Sequence, residues 1–119
     1  MADDRDSAYL LDMLQAARKV ERYVRGKTFP EFESDEILQD AIERNVEIIG
    51  EAARKVSEAF KQAHPEIPWR KIIAQRNVLV HEYESIGLSE LWEVATRHVP
   101  DLAEKLAPLL PPTPSGDPG

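Results

Sequence analysis

Apolar residues recur every three or four positions along most of the chain, and this spacing predicts helices. The first apolar stripe stops at Gly26 and predicts a helix over about residues 7–25. Residues 26–33 contain a glycine and a proline without periodicity, so they are predicted to be a loop. The apolar positions of the first helix are Tyr9, Leu10, Met13, Leu14, Ala17, Val20 and Val24.

A second, long helix is predicted to start at residue 35 and to end at His64, because Pro65 pushes the preceding residue out of the helical region. Asn45 occupies a slot that is otherwise apolar in this helix. A polar amide in such a slot either bonds across helices and fixes their register or lines a cleft. The apolar stripe is Leu38, Ile42, Ile49, Ala52, Val56, Ala59 and Ala63.

Two further helices complete the predicted fold. One runs from Pro68 to about residue 80, and another follows Gly87 to the end of the apolar stripe, with Pro100 kinking or splitting it. These segments predict an all-α antiparallel bundle of four to five helices, formed by a single domain over residues 1–110. Residues 111–119 are rich in proline and glycine and are predicted to be an extended, mobile tail.

Composition narrows the classes of function. The 119 residues include no cysteine, which excludes thiolate metal sites and cysteine nucleophiles, and no apolar run approaches the ~18 residues of a membrane span. The acidic, polar N-terminus does not resemble a signal peptide, so a cytoplasmic location is expected. The net charge of −7 predicts weak nonspecific binding to nucleic acid, but residues 65–87 are balanced, with three basic and three acidic side chains.

That balanced segment contains Arg76, Asn77, His81 and Tyr83. Histidine exchanges protons near neutral pH and the arginine fork stabilises phosphate charge, so these residue types suit phosphodiester cleavage without a metal. The alternative is that they cap a helix end and pair with neighbouring glutamates.

The spacing of these residues constrains a catalytic arrangement. Five residues along an ideal helix place Arg76 and His81 about 140° apart, whereas Asn77 and His81 share a face. Either the helix ends before His81, or two protomers meet and bring the residues together in a shared cleft.

Other polar residues give weaker signals. Glu43, Glu47 and Glu51 repeat every four residues, as in carboxylate metal bundles, but no Glu-x-x-His pair accompanies them. A solvated face, or pairing with Arg44 and Arg54, is the better interpretation. The two remaining histidines, His64 and His98, are predicted to be structural, and neither a metal nor another cofactor is expected.

The run Arg76-Asn77-x-x-x-His81-x-Tyr83 resembles the Arg-x4-His-x-Tyr motif of the HepT toxins, minimal members of the HEPN superfamily. Two other blocks are similar to the same family and extend the resemblance over roughly residues 7–110. They are Arg44-Asn45 followed by Glu47-Ile48-Ile49-Gly50-Glu51-Ala52, and His64-Pro65-Glu66-Ile67-Pro68-Trp69.

The resemblance implies a helical-bundle homodimer that acts as a metal-independent endoribonuclease toxin on RNA, with no DNA substrate expected. Arg76 and His81 would be catalytic. Asn77 would support them, and Arg44 with Asn45 would line the same dimer cleft.

The resemblance also implies a partner, an MntA-like nucleotidyltransferase antitoxin that transfers AMP from ATP to the motif tyrosine, here Tyr83. AMP would add charge and bulk two residues from His81 and repel an RNA backbone. Glu82 adds negative charge and Val78 provides no cation, so both are expected to weaken RNA binding. The alternative function is a non-catalytic helical dimer that binds a nucleotidyltransferase or a nucleotide.

Overall fold

A computed structural model describes residues 3–74 and 87–111, and every regular element in these two stretches is helical. The predicted all-α class is therefore confirmed. The elements are α1 Asp4–Val24, α2 Phe29–Glu33, α3 Glu36–Lys55, α4 Glu58–Ala63, α5 at residues 69–74, α6 Leu88–Glu93, a π turn Val94–His98, α7 Val99–Leu106 and a 3₁₀ turn Ala107–Leu109.

The core lies where α1 packs against α3 on one side and α7 on another. The start of α1 lies beside the end of α3, since Asp6 bonds to Ser57, so these two helices run antiparallel. Burial of their aliphatic stripes supplies the main stabilisation of the bundle. The fully enclosed side chains include Leu10, Met13, Val20, Ile42, Leu91 and Leu106.

Helix α1 matches its prediction closely. It starts three residues earlier than the apolar stripe indicated, because the Asp3 carboxylate accepts a 2.7 Å hydrogen bond from the Asp6 N–H and caps the helix. It ends at Val24, and Gly26 follows with a φ of 74°, a left-handed conformation that favours glycine.

The predicted loop over residues 26–33 is wrong in part, because α2 forms within it. Thr28 and Glu31 make a capping box: the Thr28 N–H donates to the Glu31 carboxylate at 2.9 Å, and the Glu31 N–H donates to the Thr28 hydroxyl at 3.4 Å. The Thr28 N–H and the Thr28 hydroxyl both donate to the Glu31 carboxylate, and these two bonds hold the pKa of Glu31 below its ordinary value. The short helix places Phe32 in the core, fully buried.

The second predicted helix is also corrected, because it is two helices. α3 ends at Lys55, Val56 is extended, and Ser57 caps α4 by accepting a 3.2 Å hydrogen bond from the Phe60 N–H. Apolar spacing continues across this break, so periodicity alone did not reveal it. The predicted end at His64 and Pro65 is confirmed as the end of α4.

The π turn changes to an α-helix next to Pro100. Proline has no N–H to donate, and its ring clashes with the carbonyl four residues back, so a regular α-helix is disturbed at this position. The Val99 N–H donates to the Val94 carbonyl five residues back, which is the π pattern, and α7 then begins with Pro100 in its first turn. The Thr96 hydroxyl donates to the Trp92 carbonyl at 2.8 Å and satisfies an acceptor beside the π turn.

The repeating glutamates of α3 are partly paired. Glu51 lies 2.8 Å from Arg54, as predicted, and 3.9 Å from Lys55. Residues 3–74 and 87–111 hold no group of three or more acidic or histidine side chains arranged to bind a metal. None of the helices in these stretches has the length and apolar character that crossing a membrane requires.

Candidate functional site

The motif residues Arg76, Asn77, His81 and Tyr83 lie outside the described residues, as do the end of the predicted third helix and residues 112–119. The described candidates are Arg44 and Asn45, next to each other on α3.

Asn45 is a buried amide, with 6% of the residue exposed. Its Nδ2 donates a 2.8 Å hydrogen bond to the Ala41 carbonyl, one turn back in the same helix. The cross-helix bond that would fix register is therefore not made with residues 3–74 or 87–111. An amide anchored in its own helix holds its oxygen in a fixed position, where it can accept a hydrogen bond.

Arg44 is exposed, in contrast to its neighbour. The sequence offered pairing with the α3 glutamates as one interpretation, but Arg44 forms no ion pair within the described ranges. Its guanidinium is thus available to an anion, with five donors in a planar fork that matches phosphate.

Glu43, which precedes Arg44, has an unusual electrostatic setting. Partial burial raises the pKa of its carboxyl above the ordinary value, and the negative charges of Asp40 and Glu47 on the same helix raise it further. The raised pKa shows that the folded protein disfavours the ionised form of Glu43 itself.

The block from His64 to Trp69 is a structural turn. The Trp69 indole N–H donates to the His64 carbonyl at 3.0 Å, and the His64 ring lies on Phe60 with a centroid distance of 4.4 Å. The pKa of Glu66 is held below its ordinary value, first by a hydrogen bond from its own backbone and then by His64, whose Nδ1 lies 3.0 Å away. These contacts agree with a structural role for His64 and fix the start of α5, which leads toward the motif in sequence.

A cavity of about 250 Å³ opens between α3, α5, the π turn and α7. Its described lining is mainly aliphatic and includes Val46, which follows Asn45, and Ile72 of α5. Lys71, His98 and Lys105 add polar groups to the same lining.

Sequence reasoning missed this cavity and treated His98 as a structural residue only. The lining residues come from four elements, so no spacing along the chain relates them to one another. The sequence shows the basic residues Lys71, His98 and Lys105 beside short apolar runs, but basic residues in such positions also occur on ordinary helix surfaces.

These features define an all-α bundle that places a buried amide and an available arginine side by side on α3. The chain belongs to the ribonuclease HepT-like family: the sequence profile described as "Ribonuclease HepT-like" matches residues 13–109. The resemblance found in the sequence motifs is thereby confirmed. The matched range includes Arg44, Asn45 and the whole run from Arg76 to Tyr83.

Individual relatives agree with the family match. The chain is 37% identical to "Probable ribonuclease HepT" of Thermococcus cleftensis over 85% of this chain and 92% of that protein. It is 32% identical to a "Putative RNase" of Caldanaerobacter subterraneus over 86% of this chain and 91% of that protein. A Methanocaldococcus jannaschii protein of the same designation is 31% identical over 83% and 91% of the two chains. No solved structure matches the chain.

Proposed function

We propose that the protein is an endoribonuclease toxin that cleaves RNA without a metal and is controlled by a nucleotidyltransferase antitoxin. The observation that carries the proposal is the family match over residues 13–109, together with relatives whose names specify a ribonuclease. The matched range contains an arginine, a histidine and a tyrosine in the motif that this sequence shares with HepT toxins.

In the proposed reaction, Arg76 and His81 act on one phosphodiester. The ribose 2′-oxygen attacks phosphorus, its proton passes to a general base, and the bond from phosphorus to the 5′-oxygen breaks. The leaving oxygen takes a proton from a general acid, and the products are a 2′,3′-cyclic phosphate and a 5′-hydroxyl. His81 exchanges one of these protons, while Arg76 stabilises the charge on the phosphorane.

Asn77, Arg44 and Asn45 support this chemistry in the proposal. Arg44 supplies a second cation for the RNA backbone, and Asn45 supplies an amide oxygen held by its bond to Ala41. Two protomers form the cleft. On one ideal helix Arg76 and His81 lie about 140° apart, and a homodimer can bring such residues from two protomers together.

Tyr83 is the proposed point of control. Its hydroxyl oxygen attacks the α-phosphorus of ATP on the nucleotidyltransferase and gives its proton to a general base, a new O–P bond forms, and pyrophosphate leaves with the electrons of the broken bond. The attached AMP places a phosphate two residues from His81, where it repels the RNA backbone.

Cleavage of a mixed tRNA and mRNA substrate in EDTA tests the proposal, after intact-mass analysis shows that the protein carries no AMP. Wild type is expected to cleave, and His81→Ala to lose cleavage by at least about a hundredfold. His64→Ala is the matched control, because within the described ranges His64 contacts Glu66, Trp69 and Phe60. Equal activity of His81→Ala and wild type refutes the assignment, and silence of an unmodified wild type favours the non-catalytic binding dimer.

A further inference from the structure

We infer that the cavity between α3, α5, the π turn and α7 binds one nucleotide unit, with its base in the cavity and its phosphate at the basic rim. In the reaction proposed above, on which this inference rests, that unit is a nucleotide of the single-stranded RNA substrate.

The interior of the cavity suits the apolar faces of a flat ring. Six aliphatic side chains form its floor and walls, and each is at least nine-tenths buried in the bundle. A cavity of about 150 Å³ holds benzene in a protein core, so about 250 Å³ has room for a nucleobase. The six residues are Val46, Ile49, Ile72, Val94, Val99 and Leu102.

The rim carries more positive than negative charge in a chain whose net charge is −7. Lys105 is engaged by Asp101, with Nζ 3.0 Å from the carboxylate. Lys71 is exposed and has no hydrogen bond or ion pair within residues 3–74 and 87–111. His98 lies 4.0 Å from Glu93 and adds a third basic group. An anion seated at this rim therefore meets Lys71 as its available cation.

The cavity lies near residues proposed for the RNA reaction, which favours a nucleotide of the RNA over an unrelated small molecule as its ligand. Val46 follows Asn45 on α3, and Lys71 precedes Arg76 by five residues in the sequence. A π turn forms one wall, and such turns occur frequently at functional sites. Proteins that act on single-stranded nucleic acid combine cations for the backbone with aromatic or apolar side chains that receive an unstacked base. A helix of a protein partner would need a groove about two turns long, whereas this cavity has a volume of only about 250 Å³.

Two variants test the two parts of the inference on the full-length chain. Binding of a fluorescein-labelled 12-nucleotide unstructured RNA is measured by anisotropy at several salt concentrations, in the His81→Ala background so that the RNA stays intact. Lys71→Ala is expected to reduce the slope of log K against log salt by about 0.7, the value for one phosphate contact in single-stranded RNA. Val94→Phe fills the cavity and is expected to weaken binding by about tenfold at every salt concentration, with no change in slope.

Lys19→Ala is the matched control, since Lys19 is an exposed lysine on α1, away from the cavity. Circular dichroism checks that Val94→Phe keeps the helical fold. If it does not, Val99→Leu, a smaller enlargement of another lining side chain, takes its place. Competition by AMP separates the two sources of the ligand. Displacement of RNA by AMP at millimolar concentration supports a site that also accepts a free nucleotide. RNA binding that resists AMP supports a site that takes a nucleotide only as part of an RNA strand.

Unchanged RNA and AMP binding in both variants overturns the inference, even when wild type cleaves RNA. Loss of nucleotidyltransferase binding in these variants, with nucleotide binding intact, also overturns it and assigns the cavity to the protein partner. Failure of the proposed function is a separate result, in which wild type does not cleave while the effects of Lys71 and Val94 on binding persist.

Discussion

The carboxylate of Asp6 accepts two hydrogen bonds from Ser57, which lies 51 residues later in the chain. The Ser57 N–H donates at 2.9 Å and its hydroxyl at 2.6 Å, while the same hydroxyl accepts from the Phe60 N–H. Asp6 is only 5% exposed. One buried carboxylate thus ties the first turn of α1 to the junction of α3 and α4, and fixes where the long apolar stripe is interrupted.

Replacing Asp6 with alanine is expected to lower the free energy of unfolding by about 2 kcal/mol, because the Ser57 N–H loses a charged acceptor at a partly buried position. Urea denaturation measures the change. Asp4→Ala removes an exposed carboxylate from the same helical turn and is expected to cost about 0.5 kcal/mol. Ser57→Ala removes the hydroxyl and keeps the N–H, so a double-mutant cycle with it measures the coupling through the 2.6 Å bond, and additive effects would contradict a contribution from that bond.

Asn45 and Gln39 are two buried amides on α3, and their comparison separates stability from function. Gln39 is 8% exposed, and its Nε2 donates to the Phe32 and Glu33 carbonyls at 3.0 and 3.1 Å. Alanine at either position is expected to reduce stability by about 1 kcal/mol.

Only Asn45→Ala is expected to reduce RNA cleavage, by about tenfold or more, since the proposed function places its amide in the cleft. Cleavage rates measured below the unfolding temperature of each variant check this difference. An equal loss of cleavage in Gln39→Ala would assign Asn45 a purely structural role.

Much of the fold follows from residue spacing, and the exceptions have local causes. The stripe from Leu10 to Val20 predicted the buried face of α1 because helical period and burial coincide there. The break at Ser57 depends on a contact with Asp6, which no local pattern contains. The capping box of α2 was readable as Thr-x-x-Glu, but the glycine and proline around it favoured a loop.

Some features of the candidate site could likewise be predicted from the sequence, and others required the structure. Burial of Asn45 followed from its place in an apolar stripe, whereas its bond to Ala41 required the structure. Arg76 and His81 stand on motif resemblance and remain predictions. The cavity lined by Lys71 and Val94 depends on how separate helices pack, so residue spacing carried no signal for it.

Tyr83→Phe is expected to abolish modification by the antitoxin. Incubation of the wild type with a nucleotidyltransferase partner and ATP should add one AMP per modified chain, detected by intact-mass analysis, and reduce RNA cleavage. The chain has three tyrosines, and the other two, Tyr9 and Tyr23, lie partly buried on α1. Phenylalanine at Tyr9 or Tyr23 should leave the addition unchanged. AMP found on Tyr83→Phe would place the control point elsewhere.

Glu43 gives a prediction about pH, with a sign set by its raised pKa. A carboxyl whose pKa is higher in the folded state than in the unfolded chain favours folding while it is protonated. That contribution is present below the ordinary value of 4.5 and is lost as the pH rises through the raised value.

Glu43→Gln keeps the side chain neutral at every pH, so the variant is expected to be more stable than wild type at pH 7, by less than about 1 kcal/mol. At pH 3 the two proteins should be equally stable, because Glu43 is then protonated as well. Urea denaturation at both pH values measures the difference. Glu104→Gln, at an exposed position on α7, should show no such dependence on pH. A Glu43→Gln variant that is less stable than wild type at pH 7 would contradict this prediction. It would mean that the ionised carboxylate has a stabilising partner that outweighs burial and the charges of Asp40 and Glu47.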